Sequence, residues 1–305
     1  MKDTSPFFSI ILPTYNREKR ISKAIESVLS QTFDDFELVI VDDGSTDDTE
    51  KIVSLHADNR IVYVYQSNSE RSAARNNGIK RARGKYICFL DSDDYYLENH
   101  LESLFRLIEK NEFRKAMYST GTISLNEMTG IAIGRPLRIG EKLHPVHYIW
   151  KSFLLPDSVC IHKEILEENQ FDIRFHIWED THLWLRIAAR YPFFQCNNYT
   201  AIQVLHPEGT VEQNFSAIKI ETVDLYIEAI EDLFLNYKKE ISPYLTDQDK
   251  NNYILNEIYV FVESAYRNQQ YKIVFQLYNK AYNIHRSKKM YSMNLCRLCL
   301  KHVFK

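Results

Sequence analysis

Asp91, Ser92, Asp93 and Asp94 place three carboxylates in four residues, directly after an apolar run from Tyr86 to Leu90. The run reads as a buried strand. Its acidic end would then lie at the carboxyl edge of a sheet, where ligands of open α/β folds bind. Carboxylates this close repel one another, and burying one uncompensated is costly. A divalent cation resolves that conflict, because hard cations take oxygen ligands. Side chains alternate along an extended backbone, so Asp91 and Asp93 are expected to face one metal together. The plainer reading is an acidic turn that caps a helix beginning near Leu97.

A second acidic pair, Glu179-Asp180, follows Trp178 and opens a helical pattern with Leu183, Ile187 and Ala188 on its inner side. A helix N-terminus favours negative charge, so the pair reads as a cap or as a positioned general base. Trp178 reads either as a stacking surface or as core. His206 stands between an apolar run and Pro207. The five cysteines show no four-cysteine zinc spacing. Cys88 and Cys160 lie in apolar runs, and the lone Cys296-x-x-Cys299 pair lies in an apolar helical pattern, so packing is the expected role.

These residues need a frame that brings them together. Phe7 to Leu12, Phe36 to Val41, Ile61 to Tyr65 and the Tyr86 run read as strands. Between them, Ile21, Ala24, Ile25, Val28 and Leu29 mark one face of a helix. Thr46 to Leu55 and Ser72 to Arg83 read as further helices, the latter ended by Gly84 as a C-cap. Such alternation predicts a mainly parallel sheet with helices on both faces. The loops Pro13-Thr14-Tyr15, Asp42-Asp43 and Asp91-Ser92-Asp93 should then converge at one edge. A helix follows from Leu97 to Lys110, then a strand from Ala116 to Ile123. Residues 125–150, rich in glycine and proline, predict loops around short strands. Ser158 to Ile161, Phe193 to Gln195 and Ala201 to Leu205 read as short strands, and Lys163 to Asn169 as a helix. From about residue 211 only helical patterns remain, with a break at Ser242-Pro243. The expected division is therefore 1–210 for the α/β domain and 211–305 for a helical extension.

The chain has 305 residues, 45% apolar and 26% charged, the profile of a soluble globular protein. A net charge of −3 gives no basic field for nucleic acid. The N-terminal apolar run is too short for a signal peptide or a span, which points to the cytosol. Residues 286–305 carry Arg286, Lys288, Lys289, Arg297, Lys301 and Lys305 and no acid. That pattern suits either a packed terminal helix or peripheral contact with an anionic membrane.

Taken together, five blocks resemble family 2 glycosyltransferases, inverting enzymes with the Rossmann-like GT-A fold. They are Phe8 to Asn16, Ser27 to Phe33 with Glu37 to Asp47, Ser72 to Gly78, Asp91 to Asp94, and Glu179-Asp180. The resemblance covers residues 8 to about 206. It implies transfer of a sugar from a nucleotide-sugar, UDP-linked by default, to a hydroxyl of a glycan or lipid-linked acceptor in cell-surface polysaccharide or lipopolysaccharide synthesis. It also implies a Mn2+ or Mg2+ cofactor. Pro13, Thr14, Tyr15, Asp43, Arg75, Asp91 and Ser92 would hold the donor. Asp93 and Asp91 would hold the metal, with His206 as a further ligand. Asp180 would be the general base, and Trp178 and Glu179 would border the acceptor. Glu70 departs from the family, which often has glycine there. The Q-x-x-R-W motif of processive synthases is absent after Asp180, where His182 to Arg186 stand instead, so one sugar per acceptor is expected. Two other readings stay open: a catalytically degenerate sugar-nucleotide-binding scaffold, and a nucleotidyltransferase, which would want a glycine-rich basic loop after the first strand.

Overall fold

A computed structural model describes residues 5–137, 143–152, 154–209 and 217–285. Two compact units divide at His206 and Pro207. The first begins with β1 (Phe8–Thr14), α1 (Ile21–Leu29), β2 (Phe36–Asp42), α2 (Thr49–Ser54), β3 (Ile61–Tyr65), α3 (Glu70–Arg81) and β4 (Tyr86–Phe89). It continues with β5 (Tyr95–Tyr96), α4 (His100–Lys110), β6 (Met117–Asn126), β7 (Ala132–Gly134) and α5 (Pro145–Lys151). β8 (Val159–His162), α6 (Lys163–Glu168), α7 (Glu179–Ala188) and β9 (Phe193–Leu205) complete it.

All described strands join one sheet, in the order β3-β2-β1-β4-β8-β6-β9-β5, with β7 on β6. β3, β2, β1 and β4 are parallel, as the strand–helix alternation requires. β8 then runs antiparallel to both β4 and β6, β5 antiparallel to β9, and β6 parallel to β9. The sheet is therefore mixed. Its first half carries the alternating pattern, and its second half does not.

Residue parity explains the two covered faces. Every residue of β1 and β2 is buried. Phe8, Ile10, Leu12, Phe36, Leu38 and Ile40 point to the face where Ile21, Ile25 and Val28 of α1 and Leu101, Leu104 and Ile108 of α4 pack. The opposite parity, Ile11 and Val41, meets α3 at Gly78. Phe89 lies on that side too, against Trp184 of α7. A Cβ at Gly78 would lie 2.4 Å from Ile11 Cγ2, so the missing side chain lets α3 approach the sheet.

Gly84 does not act as a left-handed C-cap. α3 ends at Arg81, and its capping residue Ala82 turns straight into extended backbone (ψ 135°). Gly84 serves close approach instead: its N–H donates to Ser9 Oγ at 2.8 Å, and a Cβ there would lie 2.5 Å from Ser9 N. Below it, buried Glu37 accepts from Ser9 Oγ at 2.6 Å and from the N–H of Arg83.

Three further expectations change. Residues 145–151 form a helix, which begins at Pro145 with His144 as its N-cap. The strands expected at 193–195 and 201–205 are one strand of 13 residues. Its pairing with β6 shifts register twice between Ser119 and Thr122, so the turn-like Asn197-Asn198 is absorbed as an irregularity rather than ending the strand. Asp91 to Asp94 is a turn closed by the Asp94 N–H donating to the Asp91 carbonyl at 3.1 Å.

The second unit contains α8 (Ile220–Asn236), α9 (Lys238–Ile241), α10 (Asp247–Arg267) and α11 (Tyr271–His285). The helical run stops at Ser242-Pro243 as expected, where Ser242 caps α9, and it is interrupted once more at Tyr237. Thr246 and Asp249 form a capping box at the start of α10, and Gln270 bonds both the N–H and the carbonyl of Ile218. Among the described residues no helix is long and apolar enough to cross a membrane. The basic stretch 286–305 and the Cys296/Cys299 pair lie outside the described residues.

Gly84→Ala should lower stability by about 1–3 kcal/mol, because the added Cβ meets backbone atoms of Phe8 and Ser9 rather than a movable side chain. Chemical denaturation against the native chain measures it, and an unchanged midpoint would contradict this packing.

Candidate active site

The carboxyl edge of the parallel strands is tied together by polar bonds between loops. Asn16, in a left-handed conformation (φ 51°), donates its N–H to Ser45 Oγ at 2.9 Å and accepts from the Thr46 N–H at 2.8 Å. Asp42 accepts from the Ser45 N–H and from Tyr63 Oη. Asp43 accepts from Gln66 Nε2 at 2.6 Å and the Ser69 N–H at 2.9 Å, while burial still pushes its carboxyl above the usual range. Pro13 and Thr14 end β1 beside it. The Thr14 hydroxyl is buried with no partner among the described residues, and Tyr15 is 45% exposed. Glu70, which replaces the glycine frequent in the family, holds φ 69°. That left-handed backbone is one glycine adopts without the steric cost an L side chain bears.

Arg75 of α3 links the two acidic clusters. Its side chain is 2% exposed. Nη2 donates to Asp91 Oδ1 at 2.7 Å and Nη1 donates to Glu179 Oε1 at 2.9 Å. Burial opposes its charge, but Asp91, Glu179 and Asp180 outweigh burial and raise its pKa further. Burial likewise opposes the Asp91 charge. Arg75, with Arg71 and Arg17 behind it, nevertheless holds the Asp91 carboxyl below the usual range.

The four-residue acidic cluster splits in two. Because the segment is a turn rather than a strand, alternation does not apply and Asp93 diverges from Asp91. Asp93 Oδ2 lies 3.2 Å from His206 Nε2 and 3.5 Å from Arg17 Nη2. Asp91 and Asp94 instead gather with Asp157, within 4.8 Å. Asp157 Oδ1 accepts from the Asp91 N–H at 2.8 Å, and Asp94 Oδ1 accepts from the Val204 N–H at 2.7 Å. Burial, then the Asp91 charge, push Asp157 up to about 7. Burial, then Asp157 and Asp93, push Asp94 well above its ordinary value. Asp157 follows Pro156 in a single 3-10 turn, and only a turn-forming Pro-Asp pair marks it in the sequence.

Asp180 sits in the first turn of α7. It accepts from the Thr181 N–H at 2.5 Å and from Thr181 Oγ1 at 3.2 Å. Burial and the adjacent Glu179 charge push its carboxyl up to about 7, against the opposing pull of Arg75. Trp178 caps this helix in a left-handed conformation (φ 60°). Its ring is 4% exposed and lies edge-on to Trp150 at 6.2 Å. The expected stacking surface is thus packed inward, with no face left for a sugar. Ser92 is buried beneath the turn. His206 Nδ1 is buried and without a partner among the described residues.

Residues 9–167 match Glycosyl transferase family 2, just over half of the 305 residues, and the chain belongs to that family. It is 36% identical over 191 residues to an uncharacterized glycosyltransferase of Rickettsia felis, a match covering 60% of this chain and 30% of that protein. The chain thus spans under a third of that relative's length. It is 33% identical over 198 residues to the UDP-Glc:alpha-D-GlcNAc-diphosphoundecaprenol beta-1,3-glucosyltransferase WfgD of Escherichia coli, covering 64% of this chain and 72% of WfgD. Among solved structures, S. aureus TarS in complex with UDP-GlcNAc aligns with a TM-score of 0.62 at 18% identity, over 84% of this chain and 81% of that one. The mannosyltransferase PcManGT from Pyrobaculum calidifontis, in complex with GDP-Man and Mn2+, aligns at 0.58 and 14% identity, over 99% and 81%. Both likenesses are of fold, and the fold is GT-A with C-terminal helices.

Arg75→Met should destabilise the protein by about 3–5 kcal/mol, because it leaves Asp91 and Glu179 facing each other without their shared cation. Urea unfolding measures the loss. A change under about 1 kcal/mol would show that Arg75 does not bridge the two carboxylates.

Proposed function

We propose that this chain is an inverting, metal-dependent glycosyltransferase that moves one sugar from a UDP-sugar to an acceptor hydroxyl. In this reading residues 1–210 form the transfer domain and 211–305 a helical extension. The observation that carries it is the Asp91–Arg75–Glu179 bridge. It couples the donor-side turn to the helix end that holds a carboxylate with a pKa near neutrality.

The donor half lies at the ends of β1 and β2. Tyr15 offers an exposed aromatic face, and Asp43 offers a fixed carboxylate to the polar edge of a base. The orphaned Thr14 hydroxyl is a free hydrogen-bonding group for the donor. Asp93 and His206 fit a divalent cation, because one carboxylate and one buried imidazole converge at 3.2 Å. Asp91, two residues before Asp93 on the same turn, keeps its Oδ1 on Arg75. The nitrogen donor favours Mn2+ over Mg2+, which prefers oxygen. Bound there, the cation would act as a Lewis acid toward the charge that grows on the leaving diphosphate. Asp94 and Asp157 fit this role less well, since their oxygens already hold backbone N–H groups and both favour the protonated form.

Asp180 takes the proton of the acceptor hydroxyl. A carboxyl titrating near 7 is a stronger base than an ordinary aspartate and is about half ionised at neutral pH. A single base opposite the leaving group gives direct displacement, hence inversion. Glu179 stays on Arg75 and fixes the start of α7 rather than touching the acceptor. A lipid-linked glycan is the proposed acceptor class, in line with the printed acceptor of WfgD.

Only ionised Asp180 accepts a proton, so kcat/KM should fall about tenfold per pH unit below about 7 and level off above it. Asp180→Asn should lose about 10²–10⁴-fold in transfer and keep its UDP-sugar affinity. A flat profile from pH 5 to 8 would remove Asp180 as base. Asp93→Ala should keep the thermal midpoint of the free chain but lose the Mn2+-dependent rise with UDP-sugar. An undiminished rise would refute the metal assignment.

We also propose that residues 286–305 contact anionic lipid. A chain stopped after His285 should then float less with anionic vesicles than the full chain, and equal flotation would reject the contact.

A further inference from the structure

Arg75 and Arg17 each touch a carboxylate. Arg135 does not. It follows β7, and its N–H donates to the Thr122 carbonyl at 2.8 Å. Its Nη2 donates to Gln203 Oε1 at 2.7 Å and its Nε donates to Ser124 Oγ at 3.2 Å. Ser124 Oγ in turn donates to the same Gln203 oxygen at 3.1 Å. Tyr199 Oη donates to the Arg135 carbonyl at 2.9 Å. The Tyr199 ring lies over two glycines: a Cβ on Gly121 or Gly134 would come within 2.8 or 2.9 Å of it. Tyr199, packed on the two glycines, thus fixes the backbone at Arg135, and Ser124 and Gln203, a register pair of β6 and β9, hold its half-buried guanidinium.

Every group in that cradle is neutral. Among the described residues Arg135 has no ion pair, and its Nη1 makes no hydrogen bond. Burial lowers its pKa, and Asp157, Asp94 and Asp180, none of them bonded to it, pull the other way. A half-buried charge with neutral holders and an unused donor edge is short of an anion. Its position says which half of the site it serves. The nucleotide side is the β1–β2–β3 edge. Arg135 lies beyond β4 and β8, on β6 and β9. Its partner Gln203 adjoins Val204, the residue whose N–H anchors Asp94.

We propose that Arg135 binds an oxyanion, a phosphate or carboxylate, carried by the acceptor. The Ser124–Gln203 fork fixes the guanidinium plane, and the Nη1 edge takes the ligand oxygen. The inference rests on the glycosyl-transfer reading only for the word acceptor. The anion site stands on the cradle itself.

The test uses the full chain with Mn2+ and UDP present, so that the donor site is filled. Inorganic phosphate is titrated in by calorimetry, and acetate in parallel. The native chain should bind one of the two, phosphate for a phosphate-bearing acceptor and acetate for a carboxylate-bearing one. Arg135→Gln should weaken that binding at least tenfold and leave UDP affinity unchanged. Arg135→Lys, which keeps the charge and drops the fork, should weaken it less and guards against a folding defect in the glutamine variant. Equal anion affinity in the native and glutamine chains overturns the proposal, as does a native chain that binds neither anion. A chain that fails to bind UDP refutes the donor reading, and the anion comparison then still decides the role of Arg135.

Discussion

One buried guanidinium constrains the rest of the site. Arg75 is shut away from water and spends its two terminal nitrogens on Asp91 and Glu179. A buried charge persists only when paired and well bonded. The geometry of both carboxylates therefore follows from α3, the element that holds Arg75. α3 in turn lies where it does because Gly78 admits it against Ile11 and Val41. The position of two acidic clusters far apart in sequence is thus a packing consequence of one glycine on one helix.

Around that bridge the fold places backbone in costly conformations. Asn16, Glu70 and Trp178 all have positive φ, a state that costs an L-residue roughly 1–2 kcal/mol. Each borders a loop of the site: Asn16 ties the first two loops, Glu70 starts α3, and Trp178 starts α7. Strain of this kind persists where surrounding contacts over-determine the chain. At Trp178 the holding contacts include the packing of its ring on Trp150 and His182. A residue that reads as a sugar platform is here the wedge that aims Glu179 and Asp180.

The first half of the fold was legible because its signals are local. Apolar runs at Phe36–Val41 and Tyr86–Leu90 name their own strands, and the 3.6-residue period of Ile21 to Leu29 names its helix. The signals of the second half are not local. β9 crosses Asn197-Asn198, which looks like a turn, and only the irregular pairing with β6 keeps it one strand. α5 lies in a stretch whose glycines and prolines suggest loops. Gly84 shows the limit of a propensity argument: a glycine after a helix suggests a left-handed cap, yet this one is needed for backbone contact with Ser9.

The sequence by itself determined that carboxylates would stand at the end of a buried strand and at the start of a helix. Both are properties of a few adjacent residues, set by apolar runs and by the helix dipole. Only the tertiary structure decided which charges meet. Asp93 reaches His206 across 113 residues, and Arg75 reaches Glu179 across 104. Asp157 joins the acidic cluster, and Arg135 its cradle on β6 and β9, with almost no local mark. Their partners are chosen by the order β4-β8-β6-β9. That order is set by long-range strand pairing in the mixed second half of the sheet, and no short stretch of residues encodes it.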